Sequence, residues 1–79
     1  MRVRVHVFLK SGVLDVQGKA VENALHGLGW SGVSEVRVGK TIDFDLAGVE
    51  AGAAEAEVKR MCETLLANTV IEGYRIELS

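Results

Sequence analysis

From Arg2 to Lys10 the chain alternates without a break. Val3, Val5, Val7 and Leu9 fall on one side and Arg2, Arg4, His6 and Phe8 on the other. Successive side chains of a strand point to opposite faces, so this run is a strand with one apolar face to bury and one polar face left to water or to a partner. Such a strand needs sheet neighbours and a covering layer, and the rest of the chain must supply both.

Ser11-Gly12-Val13-Leu14 reads as a connector, and Asp15 is placed to cap a helix that runs to about Leu28. Val21, Ala24, Leu25 and Leu28 form its apolar stripe, with Lys19, Glu22, Asn23 and His26 opposite. Gly29 suits the C-terminal cap. Gly18, in the first turn, costs about 0.5–1 kcal/mol relative to Ala unless the backbone there must approach something closely, and so it marks a contact.

Val36 and Val38 alternate with Glu35, Arg37 and Gly39, and Ile42, Phe44 and Leu46 alternate with Asp43 and Asp45. The pattern predicts two strands joined as a hairpin at Gly39-Lys40, a type II′ connection. Gly48 to Ala53 reads as a loop or a frayed helix start. From Ala54 a second helix carries Ala54, Val58, Met61, Cys62 and Leu65 on one face, with Glu55–Lys59 and Lys59–Glu63 as charge pairs on the other. Asn68 suits a left-handed position at its end. The period then changes to that of a strand, with Tyr74, Ile76 and Leu78 inward and Arg75 and Glu77 outward.

The predicted order is β-α-β-β-α-β, an α+β class chain and a single domain over residues 1–79. Right-handed crossovers place both helices on one face of an antiparallel four-stranded sheet, the ferredoxin-like plan. The other face would be a mixed-charge surface carrying one aromatic, Phe8.

With 79 residues the core is thin, worth about 3–5 kcal/mol for domains of this size, which are usually reinforced by disulfides, a metal or a partner. One Cys and two His give neither a disulfide nor metal-ligand spacing, which points to oligomerisation. A net charge of −2 and a pI near 5.6 argue against a nucleic-acid partner. No apolar run is long enough for a membrane span, so the expected location is cytoplasmic.

Candidate chemical groups read more simply as structural. Asp43 and Asp45, with Glu35, are too few oxygens for a hard cation and, on a hairpin next to Arg37, read as solvated or ion-paired. His6 and His26 have no partner group near them in sequence, and Cys62 lies on the apolar helix face. Gly39-Lys40-Thr41 lacks the upstream glycine of a phosphate loop. A copper chaperone would need a second Cys, and RNA binding would need more aromatic residues on the open face.

Three separated runs carry a resemblance: Cys62-Glu63-Thr64-Leu65-Leu66-Ala67-Asn68-Thr69-Val70-Ile71-Glu72-Gly73-Tyr74, Val13-Leu14-Asp15-Val16-Gln17-Gly18, and Val36-Arg37-Val38-Gly39-Lys40. In this order, and on a chain of this length, they resemble the PurS family, small subunits of phosphoribosylformylglycinamidine synthase. The resemblance departs at Val16 and Thr69, where the family often has Pro. It implies a non-catalytic bridging subunit in de novo purine synthesis. The complex converts formylglycinamide ribonucleotide, with glutamine and ATP, to the amidine. The implied partners are a second copy of the chain, as a homodimer or higher homo-oligomer, together with the large synthetase subunit and the glutaminase subunit. ATP and Mg belong to the synthetase, and no cofactor is expected in this chain. Carried over residue by residue, Gln17, Gly18, Arg37, Lys40, Glu72 and Tyr74 are the candidate subunit-interface positions, while Asp15, Gly29, Gly39 and Asn68 serve turns and caps. Arg37, Lys40 and Glu72 are favoured because no local backbone requirement explains them. Two other readings stay open at this point: a stand-alone regulatory module that binds a small ligand at a dimer interface, and a small enzyme using His6 with Asp43 or Asp45.

Overall fold

The computed structural model describes residues 1–79: β1 (Arg2–Leu9), α1 (Val16–Gly27), β2 (Lys40–Asp45), α2 (Ala51–Met61), a π-helical turn (Cys62–Leu66) and β3 (Glu72–Leu78). β1 is the central strand of a three-stranded sheet ordered β2-β1-β3, with both pairings antiparallel. Its alternation does what the sequence requires. Val3 and Val5 are fully buried, Val7 nearly so, and they join Val58, Cys62 and Ala67 in the core under α2.

The predicted four-stranded sheet is not formed; the architecture is α+β with three strands. The hairpin at Gly39-Lys40 is absent, and residues 35–39 run straight into β2 as an unpaired segment. The physical reason lies in the backbone donors. The Val36 and Val38 N–H groups, which a hairpin ladder would use, donate instead to the carboxylates of Glu22 and Asp15. Glu35 bends the segment by adopting φ 55°, in the left-handed region. Gly39 lies so close to β1 that a Cβ on it would sit 2.6 Å from the Val7 carbonyl oxygen.

The placement of both helices on one sheet face is likewise corrected. α2 covers the apolar face, lying nearer β3 than β2, whereas α1 packs extensively against neither a strand nor α2. The chain is therefore elongated, 50 × 25 × 14 Å with a radius of gyration of 16.0 Å, where a compact chain of this length would have about 12 Å.

α1 starts and stops where its caps predict: the Asp15 side chain accepts the Gly18 N–H, and Gly29 takes φ 108° after the C-cap Leu28. The contact inferred at Gly18 is the Val36 carbonyl, which a Cβ there would strike. α2 begins at Ala51, three residues before the predicted Ala54. Its end also differs. The π-helical turn widens the spacing, with the Ala67 N–H reaching the Cys62 carbonyl at 3.1 Å. Leu66 therefore follows Cys62 toward the core, and Leu65, predicted inward, is 82% exposed. Asn68 is not left-handed; its side chain accepts the Val70 N–H in the turn that follows the helix. The predicted pairs Glu55–Lys59 and Lys59–Glu63 are replaced by Glu57–Arg60 at 3.1 Å.

Candidate functional site

The connector, α1 and residues 33–38 form an arm joined by three charged side chains. Asp15, 6% exposed, receives the Gly18 N–H at 2.6 Å on one oxygen and the Val38 N–H at 2.7 Å on the other. Glu22 receives the Val36 N–H at 3.2 Å and the Lys19 ammonium at 3.0 Å. Arg37 donates to the carbonyls of Val13 (2.7 Å), Ser11 (3.0 Å) and Lys10 (3.4 Å), binding the segment to the connector. His26 donates from Nε2 to the Val33 carbonyl at 2.6 Å.

These bonds set the electrostatics of the arm. The N–H groups of Val38 and Gly18 hold the Asp15 carboxyl below its ordinary range, and Lys19 with the Val36 N–H does the same for Glu22. A carboxyl lowered on folding stabilises the folded state fully above its ordinary pKa and loses that contribution as pH falls through the lowered value. The arm is thus expected to loosen on acidification, through and below the ordinary carboxylate range near pH 4. The measurement is amide exchange at Val36 and Val38 as a function of pH, and exchange there that stays unchanged below pH 4 would contradict the assignment.

A cleft of about 770 Å³ opens along the arm, lined by Asp15, Lys19, Glu22, Glu35 and Arg37 among others. Four of these five are engaged within the arm, and Asp15, Glu22 and Arg37 hold the chain's own backbone. That arrangement is structural and leaves little of the cleft's charge to orient a small ligand.

The open sheet face is neutralised across strands. Arg4 meets Asp43 at 2.7 Å, Arg2 meets Asp45 at 3.3 Å and His6 meets Glu77 at 2.6 Å. His6 is therefore beside Glu77 and not with Asp43 or Asp45, whose partners are arginines from β1. The His6 ring holds the Glu77 carboxyl low, and Arg4 does the same for Asp43. No three His, Cys, Asp or Glu side chains converge as metal ligands. Burial pushes the Cys62 thiol up, away from the reactive thiolate.

The helix-to-strand junction is a closed loop of bonds. The Asn68 N–H donates to Glu72 Oε1 at 2.6 Å, the Val70 N–H to Asn68 Oδ1 at 3.2 Å, and the Ile71 and Glu72 N–H groups to the Asn68 carbonyl. Lys10 reaches the Thr69 carbonyl at 2.7 Å. Val70, at the tip, is 82% exposed.

The six candidate interface residues thus separate. Gly18 and Arg37 meet in the arm, and Glu72 serves the junction, so Arg37 and Glu72 do have the local backbone roles that the sequence did not reveal. Lys40 and Tyr74 lie in one row across the sheet, each opposite Val7. Lys40 and Gln17 are exposed, with no side-chain hydrogen bond, and Tyr74 is half-buried. Glu22 was missed altogether. A helical pattern places it among solvated residues, and its backbone partner lies 14 positions away, where no local signal reaches.

Apolar exposure is shared between the arm, where Leu14, Val16 and Leu28 are more than 70% exposed, Trp30 59% and Val21 40%, and the helix-to-strand junction, where Leu65 and Val70 are each 82% exposed. No helix is long and apolar enough to cross a membrane.

The comparisons with known proteins agree with one another. The family model PurS, phosphoribosylformylglycinamidine (FGAM) synthase, matches residues 2–79. The phosphoribosylformylglycinamidine synthase subunit PurS of Bacillus subtilis is 47% identical over 98% of this chain and 90% of its own. Its counterpart in Synechocystis is 45% identical over 96% of this chain and 76% of its own. Among solved structures, Bacillus subtilis PurS superposes with a TM-score of 0.82 at 46% identity, covering 96% of this chain and 94% of that one. A chain in the structure of PurLQS from Thermotoga maritima superposes with a TM-score of 0.86 at 30% identity, covering 96% and 93%. The match runs through the arm and the sheet alike, and this chain belongs to the PurS family, the PurS subunits of phosphoribosylformylglycinamidine synthase.

Proposed function

We propose that this chain is the bridging subunit of a phosphoribosylformylglycinamidine synthase, coupling a glutaminase subunit to an ATP-dependent synthetase subunit without a catalytic group of its own. One observation carries the reading: the chain superposes over 96% of its length on a chain within the Thermotoga maritima PurLQS structure. Its surface supports it. Polar groups that resemble a site are engaged within the chain, and the large unsatisfied surface is apolar, as docking requires. The chain acts in the cytoplasm as one domain and as a homodimer. ATP and Mg²⁺ are handled by the synthetase. Lys40, Gln17 and Tyr74 are proposed as direct contacts, and Arg37, Gly18 and Glu72 as residues that hold the contact surfaces in shape.

Reconstitution tests this. With the synthetase and glutaminase subunits present, adding the chain is expected to restore glutamine-dependent amidine formation, while the chain alone hydrolyses neither glutamine nor ATP. Equal glutamine-dependent turnover with and without the chain would refute the bridging role.

A further inference from the structure

The cleft along the arm has spent its donors. Lys19 is bound to Glu22, Arg37 to carbonyls of the connector, and the carboxylates of Asp15 and Glu22 to backbone N–H groups of the arm. Among the lining side chains the Glu35 carboxylate is left without a partner, together with the hydroxyls of Ser11 and Ser34. Three carboxylates line the cleft against two cations, so the charge left over is negative. An occupant must therefore donate hydrogen bonds and carry positive charge.

Glu35 is set apart from other free carboxylates of the chain. Glu50 and Glu55 also lack a side-chain partner, yet they stand at the start of α2, outside this cleft. Glu35 is the one non-glycine residue with a positive φ, 55°, a conformation that crowds its Cβ and that glycine would adopt freely. Glycine would therefore serve the turn better. A carboxylate kept there in spite of the crowding, in a cleft where the other charges are already engaged, is a side chain kept for use.

We propose, resting on the bridging reading above, that Glu35 is a docking group and receives the guanidinium of an arginine carried by a catalytic subunit of the complex. A guanidinium has five N–H donors and no acceptor, which matches a cleft whose one free charge is an acceptor. Its planar fork takes a carboxylate through two parallel bonds and leaves donors over for the hydroxyls of Ser11 and Ser34. The volume of about 770 Å³ lies within the range of about 300–1,000 Å³ for ligand sites, and admits the side chain with the segment that bears it. Four of the five arginines of this chain are already committed within it, so the donor is assigned to a different protein and not to a second copy.

Calorimetric titration of the chain into the synthetase and glutaminase subunits, with glutamine and ATP present, gives the test. Glu35→Gln keeps the shape and removes the charge; it is expected to weaken binding on the order of 10-fold or more, as for loss of a hydrogen bond to a charged group, and to flatten the salt dependence of binding. Glu35→Gly is expected to weaken binding at least as much, while the urea midpoint of the isolated chain is no lower than that of the wild type. Wild-type affinity in both variants would overturn the docking role. Loss of affinity in Glu35→Gly alone would make the conformation of the turn the requirement and overturn the arginine contact. A changed self-association mass in either variant would assign the carboxylate to a contact between copies and overturn it too. A wild-type chain that binds neither subunit would refute the bridging reading, and the docking role with it, before any variant is compared.

Discussion

Val5→Ala is expected to remove more than half of the stability of the isolated subunit. Val5 is fully buried on the central strand, with Val3 and Val7 beside it and Val58 and Cys62 in the same cluster. Two methyl groups lost from such a site remove about 1.6 kcal/mol of transfer free energy, and the unfilled space raises the cost to about 2–3 kcal/mol. Against about 3–5 kcal/mol for a core of this size, that is most of the margin. Urea unfolding followed by circular dichroism measures it. A midpoint within error of the wild-type value would mean that the sheet core is not what holds the chain together. Restoring the midpoint by adding the partner subunits would show the linkage between assembly and stability.

Asp15→Ala is expected to act elsewhere, releasing the arm while the sheet survives. Asp15 is at once the N-cap of α1 and the acceptor for the Val38 N–H, so its removal orphans two backbone donors. Amide protection in α1 and at Val36 and Val38 is expected to fall by roughly 10-fold or more, with protection in β1 and β3 little changed. Asp15→Asn separates the two roles. Asn remains a good cap, but its amide nitrogen meets the Val38 N–H donor to donor, so α1 keeps its first turn and the segment at Val38 detaches. If protection is lost across β1 as well, the arm and the sheet are one cooperative unit and their independence is refuted.

These two substitutions mark what could be read in the sequence. The β1 alternation, the Asp15 cap and the close approach at Gly18 were legible because each is set by residues within a few positions of one another. The β2 hairpin was misread because the pattern of Val36 and Val38 is indeed strand-like. What removes them from the sheet is competition for their N–H groups by carboxylates 14 and 23 positions away. The inward face of the second helix was misjudged at Leu65 for a similar reason: a helical period extrapolates only while the helix stays α, and the π-helical turn shifts the phase by one residue. Arg37 looked free of local duty because its duty is to the carbonyls of Lys10, Ser11 and Val13, which carry no side-chain signature. The resemblance to PurS did not depend on any of these geometries, since it rests on residue identity in three runs.

The pairing of β1 with β3 joins the two ends of the chain, with Arg2 and Ser79 exchanging backbone hydrogen bonds at 3.3 and 3.1 Å. During synthesis β1 therefore emerges long before its partner β3. Its other neighbour, β2, follows only after the whole arm, so nearly every sheet contact is long-range, and such topologies fold slowly. While it waits, β1 exposes three valines and two unpaired edges. The charges that alternate with those valines, Arg2 and Arg4 among them, disfavour edge-to-edge aggregation in that interval, which is a service to the nascent chain distinct from their pairing in the finished sheet.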